Sequence, residues 1–181
     1  MPRNSRSFAL KVPTIGSAGK IARSLALMLI ISFLALSACT SDNATPALTI
    51  TGRFIAADQK ELLPLTLEVA RTPQARELGL MYRQELAADM GMIFIYPSER
   101  PRSFWMKNTL IPLDILYLDK DFTIVSLVEN AVPHSLVSRT SQGHPAQYVI
   151  EIMGGLAAQK GITVGTKFEP SAPLPSGEDG V

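Results

Sequence analysis

One cysteine, one tryptophan and two histidines in 181 residues leave few side chains for redox, metal or nucleophilic chemistry. Cys39 has no second cysteine to pair with, so an intrachain disulfide and a multi-thiolate metal site are both excluded. No G-x-S-x-G, H-E-x-x-H or phosphate-loop pattern occurs, and the usual signatures of serine hydrolases, zinc peptidases and nucleotide-binding enzymes are therefore missing. Residues 1–23 contain no acidic residue at all, while carrying Arg3, Arg6, Lys11, Lys20 and Arg23.

That last absence marks a targeting segment. A basic stretch runs into the almost unbroken apolar run Leu25–Leu36, the layout of an export signal. The run closes on Leu36-Ser37-Ala38-Cys39, which resembles the lipobox of bacterial lipoproteins, in which the cysteine is acylated and becomes the new N-terminus. The competing reading is an uncleaved anchor, since Ile21–Ala38 approaches the roughly 20 apolar residues of a membrane span. The lipobox resemblance implies a protein of the bacterial cell envelope held to a membrane through its N-terminal lipid. With Thr40 after the cysteine, it further implies the outer membrane facing the periplasm wherever two membranes exist.

Removal of residues 1–38 takes away five of the 17 basic residues and none of the 16 acidic ones, so the remainder carries a net charge of −4. Nucleic acid is not an expected partner, because its binders concentrate positive charge. Residues 39–47 read as a polar linker next to the lipid, residues 48–169 as one domain, and residues 170–181, rich in Pro, Gly and acid, as a disordered tail. There is room for one core, and no internal repeat is visible.

Most of the domain alternates with period two, which predicts half-buried strands at Leu48–Phe54, Leu65–Val69, Met92–Tyr96, Leu113–Leu118, Phe122–Val128, Gln147–Ile152 and Lys167–Glu169. Asp119-Lys120-Asp121 reads as the turn of a hairpin. Thr72-Pro73 is an N-cap followed by proline at the first helical position, predicting a main helix that runs to Arg83. A short second helix at Leu156–Lys160 ends on Gly161. The fold class is mainly β (α+β): a compact small β-barrel or roll of short strands with these two helices.

The segment Phe104-Trp105-Met106-Lys107-Asn108-Thr109 with Pro112-Leu113-Asp114 interleaves the only tryptophan with polar groups. Together with Gly79-Leu80-Met81-Tyr82-Arg83, Gly91-Met92-Ile93-Phe94 and Glu151 followed by Gly154-Gly155, it resembles the DUF192 family, also called UPF0127, over roughly Leu65–Phe168. The resemblance implies a small, mostly β, often exported domain, and brings no established reaction or catalytic residues. Family members usually read Glu-x-Pro-Ala-Gly where this chain has Glu151-Ile152-Met153-Gly154-Gly155, a departure at the turn.

In an extended strand Phe104 and Met106 point into the core, with Phe94 and Leu113, while Trp105 and Lys107 face water. A tryptophan beside a cation can stack on a planar or sugar ligand. Arg83, Trp105, Lys107, Asn108, Asp114 and Glu151 are thus the candidate ligand-binding residues, for an unknown small ligand, a peptide or envelope protein, or a glycan. The plainer reading is structural: Asn108-Thr109 caps a turn, Asp114 accepts backbone N–H bonds in the hairpin, and Arg83 pairs with Asp114 or Glu151.

Two further classes stay open. Asp114 and Glu151 suit a hydrolase or transferase if their carboxyls lie roughly 5–10 Å apart. Met81, Met90, Met92 and Met106 with His134 and His144 suit a soft metal such as copper, although methionine more often fills core gaps. No cofactor, metal or catalytic residue is called for by any motif. A first test follows from the lone cysteine: Cys39→Ser should shift the domain from the membrane to the soluble fraction of intact envelopes, because stable anchoring needs more than one acyl chain and the serine carries none. Retention of a correctly cleaved Cys39→Ser protein in the membrane fraction would contradict lipid anchoring.

Overall fold

The computed structural model describes residues 47–179. The export signal, Cys39 and nearly all of the linker lie outside these residues. The described part is mostly β, a curled half-barrel with two short helices. In chain order the elements are β1 Thr49–Ile55, β2 Glu61–Ala70, α1 Pro73–Leu78, β3 Met90–Arg100, β4 Ser103–Phe104, β5 Leu113–Leu118, β6 Ile124–Ala131, β7 Arg139–Thr140, β8 Ala146–Met153, α2 Leu156–Lys160 and β9 Lys167–Pro170.

Seven strands form one sheet in the order β6-β5-β8-β3-β2-β1-β9, and β4 pairs with β7 in a small separate sheet. All pairs in the large sheet are antiparallel except β2–β3, whose parallel pairing requires the crossover that contains α1. The two end strands approach each other where Thr123 bridges Lys167 and the Phe168 amide donates to the Phe122 carbonyl at 2.9 Å. Curling of the sheet thus brings its edges together, which limits exposed strand edge. Close approach of β1 to β9 depends on Gly52, because a Cβ there would sit 2.3 Å from the Phe168 ring.

Alternation sorts the apolar side chains onto two faces. Phe54, Leu67, Ile93, Leu116, Ile150 and Phe168 belong to one core cluster, against which α2 packs through Leu156 and Ala157. Met92, Phe94, Met106, Ile115, Tyr117 and Val149 belong to a second cluster on the opposite face. The central strands are covered on both sides, which is why all six residues of β5 are buried.

Three expectations need correction, the helix end, the flap and the tail. The main helix stops at Leu78 and not at Arg83, because Gly79 adopts φ +49° and its amide bonds back to the Ala75 carbonyl. The stretch from Ser103 is a strand for two residues only, with Lys107 and Asn108 forming a turn, so it is a flap and not a core strand. The Asp114 carboxylate accepts a backbone amide of the β5–β6 hairpin as expected, that of Asn130, while Asp119 holds the turn by accepting the amides of Asp121 and Thr123, each at 2.9 Å. Residues 170–179 are docked and not a disordered tail. Arg71 forms an ion pair with Glu178 at 2.7 Å, Arg76 donates to the Glu178 carbonyl, and Leu174 packs on the first core cluster.

Asp114 is fully buried and accepts three backbone amides: Asn130 at 2.7 Å and Gly155 at 2.9 Å on one oxygen, Ala157 at 2.7 Å on the other. The first turn of α2 has no side-chain cap of its own, and this carboxylate from β5 supplies it. Asp114→Asn keeps one acceptor oxygen and turns an NH2 toward an amide donor. The variant should lose about 2–3 kcal/mol in denaturant melts, the cost of one charge-assisted bond and a buried unpaired donor. An unchanged midpoint would show that these amides find other acceptors.

Candidate functional site

The second face of the sheet is covered incompletely. α1 and the segment after it lie along one side, and the flap at 101–112, held by the β4–β7 pair, lies along another. Between them a recess of about 250 Å³ has Phe94, Tyr96 and Phe104 in its walls, Trp105 at its rim and Glu151 as a buried lining residue. Glu151 reaches this face because it stands opposite Met92 on β3 and Ile115 on β5, both side chains of the second cluster.

The walls are aromatic and ordered by their own contacts. Phe104 meets Phe94 edge-on with centroids 5.0 Å apart and Tyr117 likewise at 5.9 Å. These contacts leave Phe104 half-buried, short of the full burial expected, whereas Phe94, Met106 and Leu113 are buried. Tyr96 is stacked by two guanidinium groups, Arg102 at 3.8 Å and Arg76 at 4.7 Å from its centroid. Arg76 donates to the carbonyls of Arg71 (2.5 Å), Ile95 (3.0 Å) and Glu178 (2.8 Å), so the docked C-terminal residues help hold it against the recess.

Trp105 is half exposed, and Lys107 Nζ lies 5.1 Å from its ring centroid. Asn108 sits at φ +56°, a conformation asparagine tolerates better than most residues. Its amide donates to the Tyr82 hydroxyl at 2.9 Å, and its carbonyl accepts the Tyr82 backbone amide at 2.8 Å. These bonds fasten the flap turn to the segment after α1. Beside the recess, Trp105, Lys107, Asn108, Gln74 and Tyr82 line a shallower hollow of about 350 Å³.

Four of the six candidate residues therefore gather around Trp105: Trp105 itself, Lys107, Asn108 and Glu151. The other two lie elsewhere. Arg83 bonds Glu68 at 2.5 Å, and not Asp114 or Glu151. Asp114 is the cap of α2. It also cannot join Glu151 as a carboxylate pair: Asp114 stands opposite Ile152 and Glu151 opposite Ile115, so the two side chains leave opposite faces of the sheet. The soft-metal donors read differently in the structure. Met92 and Met106 are core side chains, and among the described residues no three His, Cys, Asp or Glu form a cluster able to hold a metal ion.

Arg76 and Tyr96 were not legible as site residues in the sequence. The cue that existed was the Thr72-Pro73 helix start, which puts Arg76 on the first turns of α1, but its stacking on Tyr96 comes from contact across the fold.

Glu151 is the unusual group. It is only 4% exposed, and among the described residues neither a hydrogen bond nor a cation offsets its burial, which pushes the carboxyl from its ordinary 4.5 up to about 8. In the unfolded chain the group ionises near 4.5, whereas the folded protein retains the proton up to about 8. Between those values unfolding releases a proton, and stability falls as pH rises. Relative to Glu151→Gln, which has no proton to lose, the native protein should differ by a constant amount below about pH 4.5. It should then weaken by up to about 1.4 kcal/mol per pH unit until the difference levels off above about pH 8. Paired denaturant melts from pH 4 to 9 check this, and parallel pH profiles of the two proteins would exclude it.

The model of the DUF192 family, described as an uncharacterised ACR, matches residues 54–170. No curated protein matches the chain. Among solved structures, a crystal structure from Sinorhizobium meliloti 1021, provisionally described as a transcription regulator, is 40% identical with a TM-score of 0.66, covering 69% of this chain and 95% of that one. A protein of unknown function from Novosphingobium aromaticivorans is 34% identical with a TM-score of 0.62, covering 72% of this chain and 91% of the other.

Proposed function

This chain belongs to the DUF192 family, whose function is uncharacterised, and we propose that it works as a lipid-anchored domain of the bacterial cell envelope that binds a ligand in the recess under Trp105. The ligand is a small molecule, or a single side chain or sugar unit of a larger peptide or glycan. Cys39 carries the lipid, and residues 40–47 tether the domain to the outer membrane where there is one. The observation that carries the reading is Glu151: a buried carboxyl without a protein partner, beneath an aromatic rim. A nearly buried carboxyl with no protein hydrogen bond costs stability even where its edge reaches a recess, and natural proteins keep such costs chiefly where a ligand repays them.

Pockets that bind small molecules are concave, largely apolar and carry few polar groups that fix orientation. The recess has aromatic walls, Glu151 as its buried acid, and Arg76 and Glu77 among its other lining residues, and no nucleophile is needed for it to act. Its rim is also apolar: Leu78, Trp105 and Leu136 are exposed around hollows that share the indole ring. The net charge of −4 after Cys39 argues against a nucleic-acid partner for this chain.

The lone tryptophan makes the test direct, since all indole emission comes from position 105. Envelope-derived glycans, peptides and a fragment library should be screened by Trp105 fluorescence. A ligand that enters the recess is expected to shift the emission and to bind at least about tenfold more weakly to Trp105→Phe, read by calorimetry. Trp105→Ala should stay within about 1 kcal/mol of the parent in denaturant melts, as half-exposed side chains outside the core usually do. Loss of folding in Trp105→Ala would make the flap a structural element and remove the binding reading.

A further inference from the structure

Resting on the recess as a binding site, we infer that its ligand is a small organic ammonium ion, whose charged nitrogen meets Glu151 while its carbon framework lies against the aromatic walls. Phe94, Phe104 and Trp105 line the recess, and aromatic π-faces attract cations, as Tyr96 beside them already does for Arg76 and Arg102. A carboxylate among aromatic faces is the complement of an ammonium group, and anions are poorly served by the same walls. Among the described residues no cation already pairs with Glu151. The Arg76 guanidinium at the edge of the recess is engaged by three carbonyls and by Tyr96, and Arg102 stacks on the same ring while donating to the Ala146 and Ser98 carbonyls. Lys107 lies over the indole in the neighbouring hollow.

The charge balance gives the inference a signature. In the empty protein at neutral pH the Glu151 carboxyl is protonated, held so by burial. An ammonium ion that enters must displace that proton to solvent, leaving a carboxylate paired with the ligand, so one proton is released for each cation bound. The titratable and charged groups facing Glu151 are Tyr96 from β3, Tyr117 from β5 and Arg76 and Glu77 from α1. Both tyrosines are pushed upward by burial, so neither ionises in the range where Glu151 does. Affinity for a cation should therefore rise about tenfold per pH unit from pH 6 toward 8 and then level off.

The experiment uses the folded domain with n-butylammonium as the probe, and n-butanol and butyrate as neutral and anionic counterparts of the same shape. Trp105 emission and calorimetry in two buffers of different ionisation heat give affinity and proton count. The expected result is that n-butylammonium binds at least about tenfold more tightly than either counterpart, releases close to one proton at pH 6.5, and loses at least about tenfold in Glu151→Gln. Folding of the variant is checked by its near-ultraviolet dichroism, and the pH series on the native protein stands independently of it. Binding of n-butylammonium that is no tighter than n-butanol, or that does not change between pH 6 and 8, would overturn the ammonium assignment. Should n-butanol or a sugar perturb Trp105 while the cation does not, the recess stands as a binding site and only its charge preference falls. If no probe of any charge perturbs Trp105, both inferences fall.

Discussion

The buried carboxylate of Asp114 is the constraint on which the rest of this domain depends. Placed in the interior by β5, it has to be satisfied there, and it draws three backbone amides from two other segments onto its two oxygens. One of these amides belongs to the end of β6 and the other two to the turn into α2. The carboxylate therefore fixes how β6, β5 and β8 end relative to one another, and it caps a helix of five residues that has no side-chain cap of its own. A helix that short is not stable by propensity alone. It persists because Asp114 holds its first turn and because Leu156 and Ala157 pack on the enclosed core.

Fixing β8 against β5 also fixes Glu151. Asp114 and Glu151 lie on neighbouring strands one register step apart, and the pleat sends them to opposite faces. Their fates differ completely. Asp114 meets three donors, whereas Glu151 meets aromatic rings and a recess open beneath the flap. Two acids of similar burial thus take opposite roles because of their partners: one holds the fold together, and the other is kept protonated by burial that no partner in the fold offsets.

The flap makes that second environment. It is joined to the body by the two-residue β4–β7 pairing, by the Asn108–Tyr82 bonds and by the edge-on contacts of Phe104 with Phe94 and Tyr117. The anchors into the core strands are Phe104, through Phe94 on β3 and Tyr117 on β5, and Met106, buried in the second cluster, while Trp105 between them is half exposed. Trp105 is consequently held at the mouth of the recess by the surrounding structure without carrying much of its stability, which is how binding residues on loops are commonly presented. The C-terminal residues contribute from the opposite edge, where the Glu178 carbonyl helps hold Arg76 against Tyr96.

Periodicity and local chemistry were enough to read most of the architecture in the sequence. The alternation in Met92–Tyr96 and Leu113–Leu118, the Thr72-Pro73 helix start and the Gly161 helix stop each describe a choice made within a few residues, and each appears as a strand, an N-cap or a C-cap. The FWMKNT segment also marked the neighbourhood of the site through Trp105, Lys107 and Asn108. What the sequence does not hold is which polar group meets which partner across the fold. Asp114 and Glu151 are both acids in apolar strands, and only the pairing of β5 with β8 separates them. The Arg76–Tyr96 stack and the docking of residues 170–179 likewise join segments far apart in the chain. The tail was misread because satisfaction of its backbone by Arg71 and Arg76 leaves no trace in composition. Short-range preferences determined the elements of this protein. Long-range contact, which alone can bring one acid to amides and leave the other without a partner, decided its site.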